Sequence, residues 1–160
     1  MLSNEYNQCV DRYADGVYRF ALKIMKEMDT AKDIVQDAFE KLWINRKSVD
    51  VNKAKSYLFT VAYHAMIDSK RRYKHHEKYI NEVFDETCNN QYSDLNELLH
   101  RAVEQLPDVQ KSVLLLRDYE GYSYEEIEKI TGLTAAQVKI YIHRARQQMK
   151  QYIGNMNVFV

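Results

Sequence analysis

Hydrophobic residues recur at helical spacing along most of this 160-residue chain. The period-two alternation of half-buried strands is not the dominant pattern. Four Gly and one Pro are also too few for a rich set of β-turns. We therefore expect an all-α fold. The helices predicted before the C-terminal end are Tyr6–Lys26, a second one capped by Asp29 or Thr30 and running to about Asn45, a third from about Ala54 to Tyr73, Leu95–Leu106 and Val109–Tyr119.

The periodicity breaks between Tyr79 and Ser93, where acidic and amide side chains replace large aliphatic ones. A segment of this composition buries too little apolar surface to hold a fixed structure. We predict a flexible linker over 79–94. It would join two small helical domains, 1–78 and 95–160, which suits the chain length.

The C-terminal end, Leu116 to Tyr152, reads as a helix-turn-helix. Ser123 and Glu126 stand at capping-box spacing at the start of a short helix, and Thr134 and Gln137 repeat that spacing at the next. Between the two helices a glycine supplies the positive φ of a tight turn. A short helix, a glycine turn and a basic second helix are what a reader of the DNA major groove needs.

The second of these helices has one apolar and one basic face. Its first two turns carry the candidates for base contacts, whereas the later cations are better placed for phosphates. An ordinary amphipathic helix with a solvated basic face is the alternative. The base candidates are Ala135, Ala136, Lys139, Ile140 and His143, and the phosphate candidates are Arg144, Arg146 and Lys150.

Charge is segregated along the chain although its sum is zero, with 23 basic and 23 acidic residues. Residues 65–81 carry five Lys or Arg against two acidic residues, 82–108 are strongly acidic, and no acidic residue follows Glu128. A neutral sum argues against simple bulk binding to nucleic acid. Two basic patches around an acidic middle indicate localised contacts instead.

The first basic patch, Tyr57 to Lys78 together with Lys55 just before it, mixes aromatic and cationic residues. Stacking faces beside a cationic track suit single-stranded DNA, since every base offers a π-face and every nucleotide a phosphate. The alternative is that the rings belong to the core and the charges to a solvated helix end. Adjacent His75 and His76 diverge by about 100° on a helix and lack a third ligand, so we expect no metal there.

Asp33, Gln36, Asp37 and Glu40 share one face of the second predicted helix. This face is either a solvated acidic surface or a set of acid/base or metal-binding carboxylates. A carboxylate-bridged metal pair would need Glu-x-x-His motifs on other helices, and the chain has neither these nor a nucleophile with a base. We therefore expect no catalytic residue, no cofactor and no enzymatic activity.

The two cysteines, Cys9 and Cys88, lack ligand or redox spacing and favour free thiols in a reducing compartment. The chain has no apolar signal core near Met1, and no apolar run approaches the roughly 18 residues that cross a bilayer. We expect a cytoplasmic protein without membrane insertion.

Three motifs, in order, resemble those of a known family. Residues 33–43, DIVQDAFEKLW, are similar to the core-polymerase-binding segment of bacterial sigma factors. Residues 56–64, SYLFTVAYH, followed by Asp68 and Arg71-Arg72, resemble the promoter-melting and minus-ten helix of the extracytoplasmic-function (ECF) group. The helix-turn-helix resembles that group's minus-thirty-five-binding domain. The likeness spans roughly Tyr6 to Tyr152.

The resemblance implies a promoter-specificity factor with three contact surfaces. Core RNA polymerase would be met through the clamp helices of its largest subunit, and also through its flap. Promoter DNA would be met at two elements, and an anti-sigma factor is a further implied partner. The implied residues are Asp33, Gln36, Asp37 and Glu40 for polymerase, Tyr57, Phe59, Tyr63, His64, Lys70, Arg71 and Arg72 for minus-ten DNA, and Thr134, Ala136, Lys139, His143, Arg144 and Arg146 for minus-thirty-five DNA.

Two other functions compete with this interpretation. A stand-alone helix-turn-helix regulator could use the N-terminal helices to sense a ligand or to dimerise. It would have no need of the acidic face at Asp33–Glu40 or of an aromatic-basic helix for single strands. A helical enzyme is the more distant alternative, because the chain lacks a catalytic set.

Overall fold

A computed structural model describes residues 1–76 and 94–157, with the side chains of 1–72 and 95–155. These ranges contain helices and no β-strand, so the expected all-α fold is confirmed. The predicted linker, apart from Asp94, and Cys88 lie outside the described residues. The elements are α1 (Ser3–Met25), α2 (Met28–Ile44), a 3-10 turn (Val51–Lys53), α3 (Ala54–His76), α4 (Asp94–Glu104), α5 (Asp108–Leu114), a π-helical turn (Leu115–Tyr119), α6 (Tyr124–Thr131) and α7 (Ala135–Asn157).

The connection between α1 and α2 differs from the prediction. Lys26 takes the left-handed conformation, with φ 61°, and reverses the chain within two residues. α2 therefore begins earlier than expected, with Glu27 as its N-cap residue, and the predicted caps Asp29 and Thr30 lie inside its first turn. The Thr30 hydroxyl donates a hydrogen bond to the Glu27 carboxylate (3.0 Å) instead of accepting one from a backbone amide.

Helices α1, α2 and α3 pack on one another as a three-helix bundle. α2 contributes Ile34, Ala38 and Leu42, whose spacing of four places them on one buried face. α3 contributes Leu58, Ala62 and Met66, which are all fully buried. The helical spacing of α2 predicts that Trp43 points inward as well, but this residue is 38% exposed at the edge of the bundle.

The second half of the chain is assembled around α7, on which α4, α5 and α6 all pack. Pro107 precedes α5 at its N-cap position, where the missing N–H costs no helical hydrogen bond. The predicted helix over Val109–Tyr119 widens at its end, since the Glu120 amide donates to the Leu115 carbonyl five residues back (3.1 Å). Gly121, with φ 73°, then ends it.

The two halves share one continuous core. α6 packs on α3, and α5 packs on α1. At the junction the rings of Phe59 and Tyr122 lie edge to face with centroids 5.9 Å apart. Residues 1–76 and 94–157 are therefore in close contact in this structure.

Candidate nucleic-acid interface

Both capping boxes predicted in the helix-turn-helix are present. The Glu126 amide donates to the Ser123 hydroxyl (3.2 Å), and the Ser123 amide donates to the Glu126 carboxylate (2.9 Å). The same reciprocal pair joins Thr134 and Gln137, at 3.2 and 3.0 Å. A side-chain N-cap contributes about 1 kcal/mol to its helix. The Thr134 hydroxyl is thus engaged in fixing the start of α7.

The turn between α6 and α7 follows from Gly132, whose φ is 76°. This left-handed conformation is open to glycine without strain. Glu128 occupies a position in α6 where a tight crossing of two helices often requires alanine. Its side chain stays partly exposed, while its neighbour Ile127 is fully buried. The two helices therefore pack together without burying the Glu128 carboxylate.

The two faces of α7 divide as the sequence predicts. Val138, Ile142 and Ala145 are buried against the neighbouring helices. All four described cations are exposed, together with the alanine and histidine predicted to approach bases. The exposed candidates are Ala136, Lys139, His143, Arg144, Arg146 and Lys150.

Arg146 differs from Arg144 in having an internal partner. Its guanidinium pairs with the Asp118 carboxylate at 2.8 Å, and this hydrogen bond raises the pKa of Arg146. A second cation braces the approach to the turn, as Arg117 donates to the Tyr122 carbonyl (2.9 Å) and stacks over Tyr124. The Arg146–Asp118 pair attaches the basic helix to the segment that leads into the helix-turn-helix. Arg144 has no ion-pair partner among the described residues.

On α3 the predicted DNA residues separate into two groups. His64, Arg71 and Arg72 are exposed. Lys70 is not free, because its ammonium pairs with the Asp108 carboxylate of α5 at 2.8 Å. The basic end of α3 therefore offers two exposed arginines and one lysine held by the other half of the chain. The side chains of Lys74, His75 and His76 lie outside the described set.

Two aromatic residues of α3 do not present free ring faces in this structure. Phe59 and Tyr63 are 1% and 5% exposed. Phe59 lies between Phe20 of α1, with centroids 5.4 Å apart, and Tyr122. Burial, with the Tyr141 phenol nearby, raises the pKa of Tyr63. The expectation of accessible stacking faces at these two positions does not hold here, because the second half of the chain covers them.

Tyr57 is partly buried at the border between α2 and α3. Its hydroxyl accepts a hydrogen bond from the Asn45 amide group (3.0 Å) and lies 3.5 Å from the Lys41 carbonyl, to which it donates. The ring thus ties α3 to the end of α2. This position agrees with the alternative in which Tyr57 has a packing role.

The acidic face of α2 is on the surface. Asp33, Gln36, Asp37 and Glu40 are all exposed. A shallow groove between α1 and α2, lined in part by Tyr18 and Gln36, runs beside them. The face is therefore available to a basic partner.

Two residues that the sequence did not single out lie where the halves meet. The Lys111 side chain is 1% exposed, and its ammonium donates to the Lys23 carbonyl of α1 (3.3 Å). Burial, and then the nearby charge of Lys26, lowers the pKa of Lys111 to about 8. The Tyr122 hydroxyl is buried without a hydrogen-bond partner among the described residues. Burial, reinforced by the Glu120 carboxylate, raises the pKa of Tyr122.

Sequence reasoning missed both because its rules place lysine outside and give a tyrosine hydroxyl a partner. Only Lys55, which was counted in the first basic patch, hints at the junction. Its ammonium pairs with Glu120 at 3.4 Å and lies over the Tyr122 ring.

Neither a metal site nor a membrane span is found in the part of the chain that the structure describes. No group of three or more His, Cys, Asp or Glu side chains there is placed to hold a metal ion. In that same part no helix has the length and apolar character needed to cross a membrane.

Comparison with known families matches both halves of the chain. Residues 9–76 match the model of sigma-70 region 2, and residues 96–149 match that of sigma-70 region 4. The first match contains α3 and the acidic face of α2. The second contains the helix-turn-helix.

Relatives of similar length share this organisation. The ECF RNA polymerase sigma factor SigM of Bacillus subtilis is 30% identical, over 86% of this chain and 88% of the relative. The sigma factor YlaC of the same organism is also 30% identical, over 88% and 87%. Among solved structures, the fold resembles the sigma factor RpoE of Bartonella quintana, crystallised with the anti-sigma factor NepR. The TM-score is 0.77 at 22% identity, and 93% of this chain and 96% of that one are covered. The chain belongs to the sigma-70 family of RNA polymerase sigma factors, in its extracytoplasmic-function group.

Proposed function

We propose that three exposed surfaces of this ECF sigma factor divide the work of promoter recognition. As a member of its family the chain binds core RNA polymerase, directs it to promoters and assists initiation. Such proteins are initiation factors, and RNA synthesis belongs to the polymerase. The observation that carries the division is the coexistence, on one chain, of an exposed acidic face on α2 and an exposed basic face on α7.

The acidic face is proposed to bind the clamp helices of the polymerase's largest subunit. Asp33, Asp37 and Glu40 form no ion pair with the described residues of their own chain. Carboxylates that are already free lose no internal partner when they meet a basic surface, so complementarity favours fast and specific association. Gln36 adds a hydrogen-bonding group in the same row.

The basic face of α7 is proposed to read the minus-thirty-five element. Lys139 and His143 lie in the first turns after the cap and would approach base edges, whereas Arg144 would contact a phosphate. Arg146 would contact phosphate while held by Asp118. The region 4 half is also the part that would meet the polymerase flap.

The minus-ten element is proposed to meet α3. His64, Arg71 and Arg72 are exposed and can reach DNA from the arrangement seen. Phe59, Tyr63 and Lys70 can take part only if the second half of the chain moves away. Bases flipped out of the duplex, at an unstacking cost of a few kcal/mol, would then find ring faces on which to stack.

Two further features follow from this function. We propose that an anti-sigma factor binds the chain, since a solved protein of the same fold was crystallised with one. We also propose that the protein works in the cytoplasm, where polymerase and chromosomal DNA are found. The domain division at 1–78 and 95–160 remains a prediction, as does each residue role above.

Binding to purified core polymerase tests the function. The wild-type chain should form a stoichiometric complex that supports run-off transcription, and Asp37→Lys should weaken that complex at least about tenfold, because it opposes a like charge to the basic partner. Asp11→Lys, on an exposed position of α1, is the matched control and should bind as the wild type does. No complex with the wild-type chain would favour the stand-alone regulator instead.

A further inference from the structure

Lys111 is a buried cation without an ion-pair partner among the described residues. Its side chain is 1% exposed, and its ammonium makes one hydrogen bond within the described part of the chain, to the Lys23 carbonyl at 3.3 Å. A lysine ammonium has three N–H donors. Buried charges in folded proteins are normally paired and hydrogen-bonded. The surroundings of Lys111 therefore favour a negatively charged partner.

The end of α1 accounts for one of these three donors. The Lys23 carbonyl belongs to the last turn of α1, where the helix dipole favours a cation. A helix end carries only about half an elementary charge, so it does not balance a whole buried ammonium. A full negative charge close to Lys111 would balance it.

Two more lysines lie at the same corner of the molecule. Lys26 is the C-cap residue of α1, three positions after Lys23, and it is exposed. Lys70 of α3 pairs with Asp108 at 2.8 Å, and Asp108 lies about one helical turn before Lys111 on α5. After burial itself, the charges of Lys26 and Lys70 lower the pKa of Lys111 further. Lysines from the end of α1, from α3 and from α5 thus converge.

Two carboxylates act on this corner and do not neutralise it. Asp108 is bonded to Lys70, and Glu104, the last residue of α4, is exposed. Both favour the charged form of Lys111, but neither forms an ion pair with it. Three lysines against two carboxylates leave a positive charge in excess. An anion would balance this excess.

The burial of the three lysines selects a small anion. Lys26 is exposed and the Lys70 side chain is 30% exposed, whereas Lys111 is almost fully buried. A phosphate within a DNA backbone is attached to a sugar on each side and cannot follow a lysine into the protein. A small tetrahedral oxyanion can enter from solvent, and its oxygens accept charge-assisted hydrogen bonds from several directions.

We propose that Lys26, Lys70 and Lys111 form a binding site for a small phosphate-type anion, either inorganic phosphate or the phosphate group of a small metabolite. Lys111 supplies the buried donors, and the other two lysines hold the anion on the solvent side. The bound anion stabilises the folded chain by mass action. The proposal goes beyond promoter recognition and does not depend on it.

NMR of the full chain with carbon-13 at the lysine ε-position tests the site. The Lys111 signal is identified by its loss in Lys111→Met. In a phosphate-free buffer at constant ionic strength, replacing chloride with about 20 mM inorganic phosphate should raise the pH midpoint of this signal by about one unit. This rise corresponds to a dissociation constant of about 2 mM for the charged form, which phosphate then favours about tenfold. An unmoved midpoint, or an equal rise for the exposed Lys47, would overturn the proposal.

Paired variants separate a site from the effect of net charge. Lys26→Gln should weaken phosphate binding about fivefold in the same NMR titration near neutral pH, because one exposed charge contact is lost. Lys47→Gln is the matched control, since it also removes one lysine from an exposed turn. Circular dichroism checks that both variants fold. Equal losses in the two variants would mean that net charge alone attracts phosphate and that no site exists.

Two further ligands identify the source of the phosphate group. Glycerol 3-phosphate represents the phosphate ester of a metabolite, and tighter binding of either this ester or inorganic phosphate names the class. A mixed-sequence DNA duplex should leave the Lys111 midpoint unmoved, because its phosphates cannot reach a side chain that is 1% exposed. A rise caused by the duplex and by neither small anion would assign Lys111 to a DNA surface and overturn the proposal.

Discussion

Helices α3 and α7 are both DNA-binding candidates, and they differ in how the rest of the chain treats them. α7 turns its cations to solvent, and the one that is paired, Arg146, is held by its own half of the molecule. α3 has its two central rings buried and Lys70 tied to the other half. The DNA-binding surface of α7 is therefore exposed in this arrangement, whereas that of α3 is largely covered. The comparison separates a surface that can bind at once from a surface that must first be released.

The largest effect should come from truncating an apolar residue on each helix. Phe59→Ala removes a ring that is 1% exposed, and we expect a loss of about 3–5 kcal/mol in the free energy of unfolding. Ile140→Ala on α7 is the counterpart, since that side chain is 47% exposed and should cost less than about 0.5 kcal/mol. Urea denaturation followed by circular dichroism measures both. Similar losses at the two positions would mean that Phe59 is not part of the core.

A second comparison pairs a buried lysine with an exposed one. The pKa of Lys111, lowered to about 8, lies below its ordinary value of 10.5, so the folded chain binds fewer protons than the unfolded chain between these two values. The free energy of unfolding therefore rises by about 3 kcal/mol as pH increases from about 8 to 10.5. Below this window Lys111 is charged in the folded chain, and burial of that charge destabilises the fold. The groups that surround it are Lys26 and Lys70, which oppose its charge, and Asp108 and Glu104, which favour it.

Lys111→Met should accordingly stabilise the protein by about 2 kcal/mol at pH 7, after about 1 kcal/mol is subtracted for the lost hydrogen bond to Lys23. The gain should disappear as pH approaches 10, because the wild-type lysine is then neutral. Lys139→Met, on the exposed face of α7, should change stability little at either pH. Thermal melts of the three proteins from pH 6.5 to 10 provide the measurement. A gain independent of pH would show that Lys111 is not the group being titrated.

The sequence predicted α7 better than α3, and the reason is physical. The capping boxes, the glycine turn and the face of α7 depend on residues a few positions apart, so local rules suffice. The state of α3 depends on partners 38 to 65 residues away, such as Asp108 and Glu120. The sequence around Phe59 is the same whether its ring stacks on a DNA base or packs against Tyr122, so local patterns do not distinguish the two. Lys111 was missed for a similar reason, because no local pattern announces a buried lysine.

The smallest effects should come from single cations of α7, and they test whether its two kinds of contact differ. Arg144→Ala should weaken binding of holoenzyme to all promoter variants by about 1 kcal/mol and reduce the salt slope by about one, since one phosphate contact is lost. Lys139→Ala should instead change preference at one or two base pairs by about 1 kcal/mol, at the low end for a base contact because an ammonium is a single point donor. Titrations of a minus-thirty-five library at several salt concentrations distinguish the two. Because both side chains are exposed and α7 is held by its neighbours, neither change should alter folding. Uniform losses for both variants would reduce α7 to a phosphate-binding helix and leave α3, once released, as the part that reads sequence.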